Sequence, residues 1–166
     1  MIPLPRVALI LSIAVVVYAL DRVTKAWVVG NIPLNEAREV VDGWVRIANV
    51  RNTGAAFGLL PESTSLLSVL SVVAVLVILC YYRSIAARSA PIAATLGMQL
   101  GGATGNLVDR IGQGYVTDFI DVGIPGGWRF WAFNGADSSI VVGIFIVTGL
   151  LWLEERKTQG TARPAT

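Results

Sequence analysis

Four apolar stretches divide the chain, and the polar positions between them fall into a few dense blocks. The first stretch, residues 7–20, carries no charge, and its helical pattern runs on through Asp21, Arg22 and Lys25 to Trp27. About 20 residues are needed to cross the hydrocarbon core of a bilayer, so a span over residues 4–28 is predicted, with Asp21 and Lys25 at or near one interface. These two lie four apart, share a helix face and can pair, which on its own reads as an interfacial ion pair with snorkelling ends. Arg6 followed by an apolar run also describes a signal peptide, but no A-x-A cleavage site follows it. Residues 63–82 and 89–108 are each uncharged and 20 long, and residues 138–153 form the fourth span. In the third, Ala93, Gly97, Gly101 and Gly105 recur every fourth position, a small-residue stripe for close helix contact.

Between the spans the period changes from helical to alternating. Residues 40–45 read as two short strands about an Asp42-Gly43 turn. The alternation from Trp44 to Arg51 predicts a half-buried strand that delivers Asn52-Thr53-Gly54-Ala55-Ala56-Phe57. Residues 115–122 alternate again. Val116, Asp118, Ile120 and Val122 then share one face, and Asp121 lies on the other with Thr117 and Phe119. Asp118 is the odd polar residue on an aliphatic face, where desolvation raises a carboxyl pKa. Pro125-Gly126-Gly127 makes a turn, and residues 128–133 read as a returning strand. The polar tail from Glu154 to Thr166 is expected to fray.

Composition narrows the class. The 166 residues are 54% hydrophobic and 14% charged, against about 25% charged in ordinary soluble domains. A net charge of +2 with no basic stripe gives no reason to expect a nucleic-acid partner. The length fits one domain, residues 1–166. The single cysteine, Cys80, allows no intrachain disulfide, and the absence of histidine removes Ser-His and Cys-His catalysis and the common histidine metal sites. No metal and no cofactor is expected. The fold expected is that of a membrane protein, mainly α, with four transmembrane helices.

Polar side chains near membrane segments are costly and tend to face a cavity, a partner or a reaction. They concentrate between Gly101 and Asp137, where Asn106, Asp109, Arg110, Asp118, Asp121, Asn134 and Asp137 lie. Asp109 at the end of the third span opposes the helix dipole and calls for a cation such as Arg110 or Lys25. Asp137 at the start of the fourth span reads equally as a helix N-cap, a role Ser138 could fill instead. Two close carboxylates share one proton and titrate as a unit. The ionised member can then take a proton from water while the neutral one polarises a carbonyl. Chemistry alone leaves several pairings among the six aspartates open.

Five blocks, taken in order, carry a resemblance. Asp21-Arg22-Val23-Thr24-Lys25, Asn52-Thr53-Gly54-Ala55-Ala56-Phe57, the GGATGNLVDR run from Gly101 to Arg110, Val116-Thr117-Asp118-Phe119 and Phe133-Asn134-Gly135-Ala136-Asp137 are similar to the signature blocks of the bacterial lipoprotein signal peptidases, the type II signal peptidases. Any one block is weakly specific; the ordered set over most of the chain is highly specific. The resemblance implies a catalytic dyad of Asp118 and Asp137. It implies supporting or substrate-binding roles for Asp21, Lys25, Asn52, Gly54, Asn106, Asp109, Arg110 and Asn134. It also implies an aspartic endopeptidase of the inner membrane, without metal or cofactor. Its partners would be membrane lipid and a lipidated prolipoprotein, cut before the diacylglyceryl-modified cysteine. The hairpin-rich segments would form a small β platform on the extracytoplasmic side. Two positions depart from the pattern: Gly135 stands where a larger apolar residue is usual, and Trp131 where proline is frequent. The first would loosen the approach of Asp137.

Orientation is read from charge. Six basic residues fall on the side of the termini and seven on the other, and setting aside Arg22, Lys25, Arg51 and Arg110 beside the polar blocks leaves six against three. The positive-inside rule then places both termini in the cytoplasm. Two rival readings come from other classes. A Ser-Lys peptidase would use Lys25, the only lysine outside the tail, although no partner serine is evident. A proton-coupled carrier would need two matching halves with broken helices, which the chain lacks.

Overall fold

In a computed structural model the chain is described over residues 3–54, 64–86 and 88–161. Ala55, Ala56 and Phe57 of the second block, and Ser63 at the start of the second expected span, lie outside the described residues. Four helices and three strands follow in the order α1 (Leu4–Asn31), β1 (Ala37–Val41), β2 (Val45–Asn52), α2 (Thr64–Ile85), α3 (Ala90–Gln113), β3 (Val116–Val122) and α4 (Gly135–Thr161). The architecture is therefore mainly helical with one small antiparallel sheet, ordered β1-β2-β3. Among the described residues, α1 and α4 are long and apolar enough to cross a membrane, and α2 holds a shorter apolar stretch, Thr64–Cys80. Helix α3 is diluted by the glycines and polar residues that build the site.

Helix α3 is the central element. It packs against α1, α4 and α2, whereas among the described residues no Cα of α2 comes within 8 Å of one in α1 or α4. The small-residue stripe explains how close α1 comes. A Cβ at Gly97 would stand 2.7 Å from the Ile10 carbonyl, and one at Gly101 2.5 Å from that of Ala14. Ala93, next on the stripe, is buried against this seam. At the bottom of the stripe a Cβ at Gly105 would stand 2.9 Å from the Asp21 carboxylate, so the same periodicity that seats α1 makes room for a charged group.

The helix ends differ from the expected spans, for local reasons. Ser89 caps α3, accepting from the Ile92 N–H at 3.4 Å, with Pro91 in the first turn. The helix does not stop at Val108. It runs to Gln113 and ends on Gly114, whose φ of 80° is the left-handed stop that glycine favours. Asp109 is thus inside the last turns rather than beyond them. Helix α1 runs unbroken past Asp21 and Lys25 to Asn31, three residues beyond the expected end. Helix α4 begins at Gly135, three residues early, and so takes in Asp137.

The sheet follows the alternating segments with one exception. Strands β1 and β2 pair across the Asp42-Gly43 turn, with Gly43 at φ 67°. Strand β3 pairs with β2, placing Asp118 opposite Val50 and Asp121 opposite Arg46. Residues 128–133 are not a fourth strand. They lie along β3 and its exit through the isolated bridges Ile120–Phe133 and Gly123–Arg129, with the Phe130 N–H also donating to the Val122 carbonyl at 2.8 Å. The Phe133 carbonyl accepts from both the Phe119 and Ile120 N–H groups, at 3.0 and 2.7 Å. That doubled acceptance breaks a regular ladder and turns the chain into α4.

Candidate active site

Helix α1 contributes the charged base of the site. Lys25 Nζ lies 2.7 Å from Asp21 Oδ2, 2.7 Å from Asp109 Oδ2 and 3.1 Å from Asn106 Oδ1. Asn106 Oδ1 accepts a hydrogen bond from the ammonium, and the two carboxylates flank it as ion pairs. The i,i+4 pair forms as expected, but the two residues are only 2% and 3% exposed, so they do not snorkel. Asp109 takes its second cation from Arg22, which pairs with Oδ1. Arg110, the other expected partner, follows Asp109 directly in a helix, and adjacent residues do not face each other. Its guanidinium turns toward Ser71 Oγ at 3.4 Å and the cavity instead.

Asp21 also reaches across the bundle: its Oδ1 accepts the Ala136 N–H, 3.0 Å away, in the first turn of α4. A carboxylate on the free N–H groups of a helix start is favoured by hydrogen bonding and by the helix dipole. Asn134 and Asp137 complete the cap reciprocally. The Asp137 N–H donates to Asn134 Oδ1 at 2.9 Å, and the Asn134 N–H donates to Asp137 Oδ2 at 3.2 Å. The N-cap function read for Asp137 or Ser138 therefore belongs to Asn134, with Asp137 at the third helical position. A Cβ at Gly135 would meet only Asp21 Oδ1, at an ordinary 3.7 Å, so glycine there is not demanded by crowding and leaves the cap intact.

Three asparagines hold the two aspartates. Asn134 Nδ2 donates to Asp118 Oδ1 at 2.7 Å, and Asn52 Nδ2 donates to Asp118 Oδ2 at 2.7 Å. Asn106 Nδ2 donates to Asp137 Oδ1 at 2.7 Å. In each case the other end of the amide is already committed. Asn106 Oδ1 faces Lys25, Asn134 Oδ1 takes the Asp137 N–H, and Asn52 Oδ1 takes the Gly54 N–H at 2.9 Å. The amide cannot flip without losing a donor at one end, so each NH2 is held toward a carboxylate. Gly54 serves by its backbone N–H. Every oxygen of Asp118 and Asp137 thus accepts one protein donor, and Asn134 bridges the pair.

Asp118 is not on the purely aliphatic face its strand neighbours suggest, because Asn52 and Asn134 reach it from β2 and from the start of α4. Burial nevertheless dominates. Desolvation first, and then the charge of Asp137, push the Asp118 carboxyl from an ordinary 3.8 up to about 7, against the opposing effects of the two amides and of Lys25. A carboxyl whose folded pKa is raised adds stability below its unfolded pKa and loses it as pH rises through the folded value. Between about pH 4 and 7 Asp118 is therefore expected to subtract stability as pH rises. Thermal midpoints of the wild type and Asp118→Asn, measured in lipid across that window, should show a pH-dependent difference. Parallel curves would refute the raised value.

A cavity of about 470 Å³ opens above the two carboxylates. Its polar floor is Asn52, Asp118, Asp137 and Arg110, and its walls are Val116, Phe130, Trp131, Phe133, Ile140 and Val141. Phe130 stacks edge-on against both Trp131 and Phe133, with centroids 6.1 Å apart. The structure thus brings together all ten residues expected at the site, with Asn52, Arg110, Asp118 and Asp137 lining the cavity and the other six behind them. Sequence reasoning missed Arg22 as the second cation of Asp109, the reach of Asp21 to α4, and the aromatic wall. Arg22 was detectable, since it lies beside Asp21 and one turn before Lys25. The reach of Asp21 had no sequence signal. Asp121, on the opposite face, is held by Arg46 at 2.5 Å and Arg129 at 2.7 Å, away from the cavity.

The signal peptidase (SPase) II family model matches residues 13–153. The lipoprotein signal peptidase of Oleidesulfovibrio alaskensis is 43% identical over 149 residues, covering 86% of this chain and 94% of that protein. That of Syntrophomonas wolfei is 37% identical over 149 residues, covering 88% and 94%. Among solved structures, a bacterial membrane enzyme determined by the in meso method at 2.3 Å superposes with a TM-score of 0.77 at 26% identity, over 95% of this chain and 94% of that one. A second such enzyme, at 1.9 Å, gives 0.72 at 29% identity, over 86% and 91%.

Proposed function

We infer the function of this chain from one premise: it belongs to the signal peptidase II family. We propose that it is an aspartic endopeptidase of the bacterial cytoplasmic membrane that removes the signal peptide from diacylglyceryl-modified prolipoproteins, cutting before the lipid-modified cysteine. The observation that carries this reading is Asn134, which donates to Asp118 through its side chain and to Asp137 through its backbone at the mouth of one cavity. With one proton between them, the ionised aspartate takes a proton from a water whose oxygen attacks the scissile carbonyl carbon. The neutral aspartate donates to the carbonyl oxygen. Collapse of the tetrahedral intermediate breaks the C–N bond, and a proton passes to the leaving amine. No metal or cofactor enters this reading, and no nucleic acid. Lys25 supports the pair rather than acting as a base, since its three partners are Asp21, Asp109 and Asn106 and none is a serine.

The four helices are read as four spans of a single domain, with both termini cytoplasmic and the β platform outside. Access from the lipid is supported by Val141 and Val142, which line the cavity and are about half exposed. The reading is tested with the purified chain in lipid, given a proprotein with or without its diacylglyceryl group. Release of a mature fragment beginning at the modified cysteine, from the lipidated form only, is expected. Equal cutting of both forms, or of neither, would sink it. For topology, cysteines at Glu36 and Gln113, both exposed, should label with an impermeant reagent in intact cells carrying Cys80→Ser. One at Ala87, which lies outside the described residues, should not. The reverse pattern would discard the orientation.

A further inference from the structure

Helix α2 carries one polar contact into the site that the proposed chemistry leaves unused. Its hydroxyls at Thr64, Ser68 and Ser71 recur at steps of four and three, so they share one helix face with the buried Leu67. Residues 72–79 are all apolar, which makes Ser71 the last hydroxyl of this face. Ser71 Oγ donates to the Leu67 carbonyl at 2.8 Å and accepts from Arg110 Nη1 at 3.4 Å. The hydroxyl proton is committed within α2, and its lone pairs are what Arg110 meets.

Arg110 is held unlike Lys25, Arg22, Arg46 and Arg129, each of which lies against a carboxylate. Among the described residues Arg110 forms no ion pair. Its hydrogen-bond partners are two neutral oxygens, Ser71 Oγ and the Asn106 carbonyl at 3.5 Å. Yet it lines the same cavity as Asp118 and Asp137, and both attract it, as does Asp109. A guanidinium in contact with either cavity aspartate would favour the ionised carboxylate. The proposed reaction needs one of the two to keep its proton, so that contact would work against it.

We propose that Ser71 is a positioning residue of the reaction: from α2 it anchors the Arg110 guanidinium at the cavity wall, short of the two aspartates. The assignment rests on the aspartic reading above. The cations acting on the two carboxylates are Lys25 from α1 and Arg110 from α3. Among the described residues β2 and α2 bring neutral groups, Asn52 and Ser71. Lys25 is fixed between Asp21 and Asp109, so the cation that moves when Ser71 changes is Arg110.

The test compares the wild type, Ser71→Ala, Ser71→Thr and Ser68→Ala, each as the full chain in lipid. The first readout is the infrared band of protonated carboxyl groups, titrated with pH in the absence of substrate. Without the Ser71 hydroxyl the guanidinium closes on an aspartate, and the carboxyl titration should fall by about 1 pH unit in Ser71→Ala. Ser71→Thr keeps a hydroxyl and should titrate as the wild type does. So should Ser68→Ala, whose lost hydroxyl donates to the Thr64 carbonyl rather than meeting Arg110. In cleavage of a lipidated proprotein, the alkaline limb of kcat/KM should move down by the same amount. A mere packing role would lower the thermal midpoint and leave both titrations in place. On an Arg110→Gln background, Ser71→Ala should produce no further shift, because the hydroxyl acts through the guanidinium. An unshifted titration in folded Ser71→Ala, or an equal shift without Arg110, would overturn the proposal. Absence of cleavage by the wild type would instead strike the peptidase reading, and the infrared titration would still decide whether Ser71 holds Arg110 off the aspartates.

Discussion

Asp118→Asn and Asp137→Asn should each abolish turnover, by roughly 10⁴–10⁶-fold, the loss seen when one member of a group acting as a unit is removed. The proposed reaction needs one carboxylate to accept a proton and one carboxyl to donate, and an amide does neither. The double variant should be little worse than either single. Substitution also has a structural cost that the geometry makes explicit. Both oxygens of each aspartate accept N–H donors. An asparagine offers one oxygen and turns its NH2 toward a donor, which costs about 1–3 kcal/mol for the unsatisfied group. The measurement is therefore single-turnover cleavage of a lipidated proprotein by variants whose thermal midpoints show them folded. Substrate binding should largely survive, because burial of acyl chains is worth about 0.8 kcal/mol per CH2. Asp121→Asn is the informative control. It weakens the hold on Arg46 and Arg129 and so should lower stability, yet the folded protein should keep substantial activity. Robust cleavage by a folded Asp118→Asn or Asp137→Asn protein would end the aspartic-dyad proposal.

What could be read from the chain and what could not divides along the range of the interactions. The Asp42-Gly43 turn, the faces of β3 and the stripe from Ala93 to Gly105 depend on spacings of one to four residues, and all three appear as expected. The misreadings come where a distant segment overrides a local pattern. Residues 128–133 alternate like a strand, but the Phe133 carbonyl takes two N–H groups of β3 and ends the pairing. Asp118 sits among aliphatic strand neighbours, but Asn52 and Asn134 come from 66 and 16 residues away to satisfy it. Asp109 looks like a helix terminus because the uncharged run stops there, whereas α3 continues to Gly114 and places Asp109 against α1. The asparagines were visible as motif positions. Their common design, a carbonyl end pinned so that the amide faces an aspartate, exists only once α1, β2, α3, β3 and the start of α4 are assembled.

Lys25→Met should be the most destabilising single change in the site, by about 3–5 kcal/mol, the cost of removing one partner from a buried ion pair. The methionine keeps the length and apolar stem of lysine, so packing loss is small and the charge effect is isolated. Lys25 alone neutralises Asp21 among the described residues, while Asp109 retains Arg22. The half-exposed position of Arg22 limits what that pair can recover. The unpaired charge left at Asp21 is therefore the main penalty. Lys25→Met with Asp21→Asn should accordingly be more stable than Lys25→Met alone, since the asparagine oxygen can still accept the Ala136 N–H and no unpaired carboxylate remains. Denaturant titrations of the two singles and the double, closed as a cycle, give the coupling directly. Activity provides the second axis. Without Lys25 the Asn106 carbonyl loses its cation, and the amide that holds Asp137 becomes free to turn. Folded Lys25→Met should therefore cleave more slowly but measurably. Complete loss of cleavage in a folded variant, with no recovery of stability from Asp21→Asn, would return Lys25 to the chemistry and revive the Ser-Lys alternative.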